Sequence, residues 1–419
     1  MASQQKTILV YDAFSSVHEM LMGLLYVNQA KGGESYSFEY DRDWLKKTAL
    51  KFTLDPGLMP YTGRQYPAGR SIFGVFADAS PDRWGRRLLK LRERIRADSQ
   101  GCMPLKLHDS DCLLGVCDAS RMGGLRFKAE AAGPFLSDDR EAVVPHWAAL
   151  RALEEASRNF ENDEEDLAER WLKQLFWPGS SLGGARPKAT AADVQGQLWI
   201  AKFPSRNDEN DTGAWEMAAH DLAYLCGLNV PEARLEKFSS LGSTYLCRRF
   251  DRILDKRVHF ASAMTLLGKT DGASAEDGTS YLDIAAFIRA YGAQLKKDLL
   301  ELWKRIVFNM AVGNTDDHLR NHAFVLADAG WVLSPLYDVN PVPYGRELSL
   351  NVNEADNRIR ISLALQIAAR FGIREDDAEA YAKTILATVR DNWEKTARKC
   401  GRTRQQTEDM RPAFRACYA

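Results

Sequence analysis

Gly313-Asn314-Thr315-Asp316-Asp317-His318-Leu319-Arg320-Asn321 is followed, twelve residues on, by Ser334-Pro335-Leu336-Tyr337-Asp338. The intervening segment, 322–333, contains Asp328-Ala329-Gly330 between two short apolar runs and reads as a tight hairpin. The chain therefore runs out and back, and Asp338 returns to the neighbourhood of Asn321. An Asp, an Asn five residues later and a second Asp beyond a hairpin is the layout of a phosphotransferase catalytic loop. One Asp accepts the proton of the attacking hydroxyl or orients it, while the Asn and the later Asp offer hard oxygens to Mg²⁺. The same residues could instead cap and brace a polar loop, and spacing alone leaves both readings open.

The flanking sequence fits a helical setting. Leu299, Leu302, Trp303, Ile306, Val307 and Met310 fall at helical spacing, which makes one apolar face, and Gly313 stands where a helix C-cap belongs. Helical signals resume over 362–399. Upstream the character changes. Ser180-Ser181-Leu182-Gly183-Gly184-Ala185-Arg186-Pro187-Lys188 is a small-residue loop ahead of two strand-like runs, 188–193 and 198–203. Its small residues would let backbone N–H groups approach phosphate oxygens, with Arg186 and Lys188 adding positive charge. It is not a GxxxxGK[ST] loop, and a Gly-Gly turn also serves as an ordinary hairpin entry. Lys202 lies in the second strand, within Ile200-Ala201-Lys202-Phe203, and Glu216 lies on the helix expected over 212–226. A strand Lys held by a helix Glu is a phosphate-binding arrangement, though Lys202 could equally face solvent on an alternating strand. Each signal alone is weak. Their order along the chain, Gly loop, strand Lys, helix Glu, catalytic Asp and Asn, metal Asp, is what carries weight.

The 419 residues exceed what one core supports, so two or three packed units are expected. A net charge of −1 argues against a large nucleic-acid or membrane footprint, while leaving room for a local patch. Seven scattered cysteines with no CxxC pair suggest a reducing compartment and no structural zinc. The N-terminus lacks a charged start followed by an apolar core, and no apolar run is long enough to span a bilayer, so a soluble, cytoplasmic protein without membrane contact is expected.

The sequence resembles the HipA family of serine/threonine kinase toxins over nearly its whole length. The residues that carry the resemblance are Pro81-Asp82-Arg83-Trp84-Gly85-Arg86-Arg87, Met122-Gly123-Gly124-Leu125-Arg126-Phe127, the 181–188 loop, Arg249-Phe250-Asp251-Arg252, the 314–321 segment and Leu336-Tyr337-Asp338. The first two have no counterpart in ordinary protein kinases. The resemblance implies an α+β, bilobal protein-kinase-like fold. Residues 1–135 would form a HipA-type N-terminal subdomain, 136–252 a mixed α/β N-lobe with Gly loop and strand Lys, and 253–419 an all-helical C-lobe. It implies Asp316 as catalytic base, Asn321 and Asp338 as Mg²⁺ ligands, and Lys202 on the α- and β-phosphates with Glu216 as its partner. Gly183, Gly184, Ala185, Arg186 and Lys188 would cover the phosphates. Arg248, Arg249 and Phe250 would meet the adenine of ATP at the hinge, largely through backbone groups, and His318 and Tyr337 would line the nucleotide site. A Gly-loop serine is autophosphorylated and inactivates the enzyme in this family; Ser181 holds that place, with Ser180 beside it. The implied partners are a HipB-like helix-turn-helix antitoxin, operator DNA through the antitoxin complex, and a protein substrate for which an aminoacyl-tRNA synthetase is a candidate.

Three smaller features remain. Asp317 could bind a second metal or raise the pKa of Asp316, but is expected to point to solvent. His318 and His322 have i,i+4 spacing, yet their loop setting disfavours a transition-metal site. Seven basic residues between Arg83 and Arg96 read as a solvated helix face, or as a partner surface. The competing functions are a non-catalytic kinase-like co-repressor and a metal-dependent hydrolase built on Asp316, Asp317, His318 and His322.

Overall fold

A computed structural model describes residues 5–15, 19–30, 33–48, 53–136, 144–161, 186–253 and 256–418. The chain divides into two compact units, residues 1–208 with 246–261 and residues 209–245 with 262–419. The segments 1–135 and 136–208 thus fall together in the first unit.

The first unit begins with a four-stranded antiparallel sheet. Its central strands β1 (Gln5–Asp12) and β2 (Met20–Ala30) are flanked by β3 (Gly33–Tyr40) and β4 (Leu125–Lys128), in the order β3-β2-β1-β4. Alternation along β1 sends Ile8, Val10 and Asp12 inward. The buried Asp12 accepts the Trp44 indole N–H at 2.9 Å, which satisfies both groups. The helix Arg83–Ser99 starts at Asp82, whose side chain accepts the Gly85 N–H at 3.0 Å as an N-cap. It buries Trp84, Leu88 and Leu89, and it exposes Arg83, Arg87, Lys90 and Arg94.

Two sequence signatures meet in one buried knot. Asp251 accepts from Arg249 Nε at 2.9 Å, from Arg252 Nη1 at 2.7 Å and from the Gly123 N–H at 2.8 Å. Arg249 also donates to the carbonyls of Ser120 and Arg121. The Arg249-Phe250-Asp251-Arg252 run therefore holds the Gly123-Gly124 turn. Gly123 has φ +73°, and a Cβ on Gly124 would sit 2.5 Å from Phe14 Cβ, so side chains are excluded at both positions. Further along, β5 (Lys188–Ala192) and β6 (Leu198–Lys202) pair antiparallel from Lys188↔Lys202 to Ala192↔Leu198.

The second unit is mainly helical. The helix Leu295–Val312 buries Leu299, Leu302, Trp303, Ile306, Val307 and Met310, the face read from their spacing. The long helix Glu375–Lys399 and the helix Thr212–Leu225 belong to the same unit. The hairpin read from the sequence, Ala323–Ala327 with Gly330–Leu333, interrupts the helices, so the lobe that the resemblance implied to be all-helical carries strands as well. It is welded to the Leu295–Val312 helix: Asp298 accepts the Leu333 N–H at 3.1 Å, and the buried Arg305 donates to the Ser334 carbonyl at 2.7 Å.

Gly313 ends that helix in the left-handed region, at φ +66°, with its missing side chain facing the Ala413 carbonyl. Gly313→Ala must bear the left-handed penalty of roughly 1–2 kcal/mol and displace the C-terminal segment as well. Chemical denaturation should show a loss of at least that size.

Candidate functional site

The loop after Gly313 is held by hydrogen bonds within it, to the preceding helix and to the segment at Ser349. Asn314 is buried and donates to Asn309 Oδ1 at 3.1 Å. The Thr315 carbonyl accepts Ser349 Oγ at 2.8 Å. The Asp316 carbonyl accepts both the His318 N–H at 3.1 Å and Asn321 Nδ2 at 2.9 Å. The predicted pair, Asp316 and Asn321, is thus joined directly. The Asp316 carboxyl is exposed at the surface. Its partial burial in the loop raises it above the usual carboxylate range, with Asp338 and Asp317 acting in the same direction and His318 against them.

Asp317 does not point to solvent. It is 1 % exposed, and its Oδ2 accepts Tyr281 Oη at 2.6 Å, Asn309 Nδ2 at 2.7 Å and His322 Nε2 at 2.8 Å. Burial pushes this carboxyl up, but His322 and Tyr281 outweigh it and hold it below the usual range. Tyr281 and Asn309 were not singled out in the sequence. Asn309 alone left a trace there, as a polar residue inside the apolar run 306–312. Among the described residues no cluster of His, Cys, Asp and Glu has metal-binding geometry. His322 is spent on Asp317, so the pairing of His318 with His322 around a metal is not formed.

The hairpin delivers the second acid. Tyr337 Oη donates to the Arg320 carbonyl at 2.6 Å, fastening the 336–339 segment to the 314–321 loop. Asp338 stands at φ +59°, a conformation that costs a side-chain-bearing residue energy and that concentrates at functional sites. Glu216, His220, Tyr245, Leu336, Tyr337 and Asp338 line one cavity within the second unit. The structure therefore brings Glu216, Tyr337 and Asp338 together.

In the first unit, two expectations fail. Lys188 is not placed over phosphates: it is 4 % exposed, and its ammonium lies 3.6 Å from Asp82 Oδ2. Burial pushes the Asp82 carboxyl up to about 6, against the pull of Lys188, and Trp84 Nε1 donates to the Lys188 carbonyl at 3.1 Å. The Pro81-Asp82-Arg83-Trp84 signature thus fastens the first residue of β5 at both its ends. Arg186 likewise points away from a phosphate role, since its guanidinium grips Asp208 through two nitrogens and donates to the Phe203 carbonyl at 2.9 Å. Arg249 spends its side chain on Asp251 and its N–H on the Leu198 carbonyl at 2.9 Å. Arg248 and Phe250 are half-buried beside it, and Lys202 is half-buried at the end of β6. Ser180, Ser181, Gly183, Gly184 and Ala185 lie outside the described residues.

No helix among the described residues is long and apolar enough to cross a membrane. The chain is similar to two families of domain: residues 16–112 match the HipA N-terminal domain, and residues 180–393 match the HipA-like C-terminal domain. A protein of Sinorhizobium fredii (strain NBRC 101917 / NGR234) named "Putative kinase Y4mE" is 28% identical over 225 residues, covering 48% of this chain and 49% of that protein. A Haemophilus influenzae protein named "Putative kinase" is 31% identical over 188 residues, or 39% of this chain and 54% of that one. The chain spans about half the length of the curated relatives it matches. Among solved structures, the chain resembles one described as "Shewanella oneidensis MR-1 Toxin Antitoxin System HipA, HipB and its operator DNA complex". The TM-score is 0.66 at 14% identity, over 98% of this chain and 95% of that one, which establishes an α+β kinase-like fold. With one domain match alone covering half of its length, the chain belongs to the HipA family.

Proposed function

We propose that this protein is an ATP-dependent serine/threonine protein kinase and the toxin of a toxin–antitoxin pair. The observation that carries the reading is the exposed Asp316 carboxyl in a loop whose carbonyl is held by Asn321, with Asp338 returned to the same unit by the hairpin. Asp316 orients the attacking hydroxyl and takes its proton. Asn321 has committed Nδ2 to Asp316, so Oδ1 is the atom it offers a cation; with a carboxylate oxygen of Asp338 this makes a hard donor set suited to Mg²⁺. Mg²⁺, when bound, neutralises charge on the phosphates of ATP. Tyr337 and His318 flank the nucleotide. Family membership implies phosphate contact by Lys202 with Glu216 as its support, adenine contact by the backbone at Arg248 and Phe250, and a phosphate-covering role for Gly183, Gly184 and Ala185, which lie outside the described residues. The hydrolase reading is disfavoured by the burial of Asp317 and His322 against each other.

Family membership extends the proposal to a HipB-like helix-turn-helix antitoxin, to operator DNA bound through it, and to a protein substrate such as an aminoacyl-tRNA synthetase in the cytoplasm. It also extends to regulation. A phosphoryl group on Ser181, with Ser180 as the neighbouring candidate, adds a charge of roughly −1.5 to −2 where the phosphates of ATP are to sit. With radiolabelled ATP and Mg²⁺, label should reach protein in the wild type and in Ser180→Ala/Ser181→Ala acting on a separate acceptor, but not in Ser181→Asp. Full activity in Ser181→Asp would remove the regulatory part; no transfer by any of them would remove the kinase reading.

A further inference from the structure

The loop carrying Asp316 and Asn321 is closed by two rungs. The outer rung is Asn321 Nδ2 on the Asp316 carbonyl at 2.9 Å. The inner one lies one residue further in at one end and one further out at the other: His322 Nε2 on Asp317 Oδ2 at 2.8 Å. Both inner partners are buried, His322 completely and Asp317 to within 1 %. The inner rung is also anchored from outside the loop. Tyr281 Oη reaches Asp317 from the first turn of the helix Tyr281–Tyr291, and Asn309 Nδ2 reaches it from the last turn of the helix Leu295–Val312. The Tyr281 ring meets the His322 ring edge-on at 5.7 Å. At the far end, the His322 carbonyl accepts the Ala263 N–H at 2.7 Å.

A buried ionised carboxylate is a costly choice for a loop brace, since an apolar contact would hold chain segments together without desolvating a charge. The cluster also leaves Asp317 Oδ1 and His322 Nδ1 buried without a hydrogen-bond partner among the described residues. Unpaired buried polar atoms detract from stability, and they are tolerated mainly where a site needs a particular arrangement. The carboxylate supplies direction: three donors from three segments converge on one oxygen, which fixes position and rotation of the loop at the residue next to Asp316.

We propose that Asp317 is a positioning residue: through His322, Tyr281 and Asn309 it locks the 316–321 loop so that the Asp316 carboxyl and the Asn321 amide oxygen keep a fixed separation. The proposal rests on the kinase reading for its consequence in catalysis, but its geometric content does not. Metal-ligand supports of this kind typically change metal affinity or activity by about 10- to 100-fold when removed. The loss should appear in kcat and in the Mg²⁺ concentration needed, with little change in KM for a protein substrate.

The test uses the full chain with Asp317→Asn, His322→Leu and His322→Gln. Gln retains an N–H donor at similar reach, whereas Leu retains only bulk. Two quantities are measured well below each variant's melting temperature: the transfer rate per folded molecule, and the gain in ATP affinity on adding Mg²⁺, by calorimetry. Asp317→Asn and His322→Leu should lose about 10- to 100-fold in rate and most of the Mg²⁺-dependent gain, while His322→Gln recovers the larger part of both. Equal losses in His322→Leu and His322→Gln, or none in His322→Leu, would overturn the proposal even if Asp317→Asn fails to fold. A wild type that binds Mg·ATP without transferring phosphate would defeat the kinase reading instead, and the binding comparison would still decide the role of Asp317.

Discussion

Asp316→Asn should lower phosphoryl transfer by about 10²- to 10⁴-fold, the usual contribution of a positioned general base. Binding of Mg·ATP should change little, because the proposed role of the group removed is toward the acceptor hydroxyl and not the nucleotide. The substitution keeps the size of the side chain and leaves untouched the Asp316 carbonyl, which is what Asn321 and the His318 N–H bind. The loop should therefore survive, and melting temperature should stay close to that of the parent. Single-turnover transfer and calorimetric binding, measured on one preparation, separate the two effects. A variant that loses binding and rate together would place Asp316 in nucleotide contact rather than at the hydroxyl.

Asp251→Asn should cost about 3–5 kcal/mol of stability, the usual result of breaking a buried ion pair from one side. Asp251 and Arg249 are both fully buried, and Arg252 is nearly so. Removing the carboxylate charge leaves two enclosed guanidinium groups facing an amide that can accept from fewer donors, and the Gly123 turn loses its anchor. Burial pushes the Asp251 carboxyl up, but Arg249 and Arg252 prevail and hold it well below the usual range. A carboxyl lowered in this way stabilises the fold above the unfolded-state value near 3.8, and that contribution fades as pH falls toward the folded value. The parent should thus lose stability steeply in acid below about pH 4, and Asp251→Asn should show a flatter acid limb. Denaturant titrations across pH read both. Identical acid limbs would show that the knot does not control acid stability.

How much of this was legible in the sequence depends on what kind of contact was involved. The helix Leu295–Val312 and its Gly313 cap could be read because apolar periodicity and a left-handed glycine are local properties. The hairpin that returns Asp338 could be read for the same reason: its turn residues are adjacent in sequence. The β2 strand, Met20–Ala30, and the helix Tyr281–Tyr291 were not recognised, although Gly32-Gly33 follows the first and Ser280, in a capping box with Asp283, opens the second. Burial was the main source of error. Asp317, Lys188 and Arg186 were judged by charge, which predicts exposure, and each is instead held by a partner distant in sequence: Tyr281, Asp82 and Asp208. No local pattern announces a partner 36 or 22 residues away. The Asp82 and Trp84 grip on Lys188 gives the Pro81-Asp82-Arg83-Trp84 run a structural role, holding the start of β5.

The central claim is that this chain moves a phosphoryl group from ATP to a serine or threonine hydroxyl. It is tested most directly by intact and peptide mass spectrometry after incubation with Mg·ATP, with Asp316→Asn alongside. The expected result is the added mass of a phosphoryl group on the parent, located at Ser181 or Ser180, and none on Asp316→Asn. An unmodified parent that still binds ATP, or equal modification of parent and variant, would contradict it.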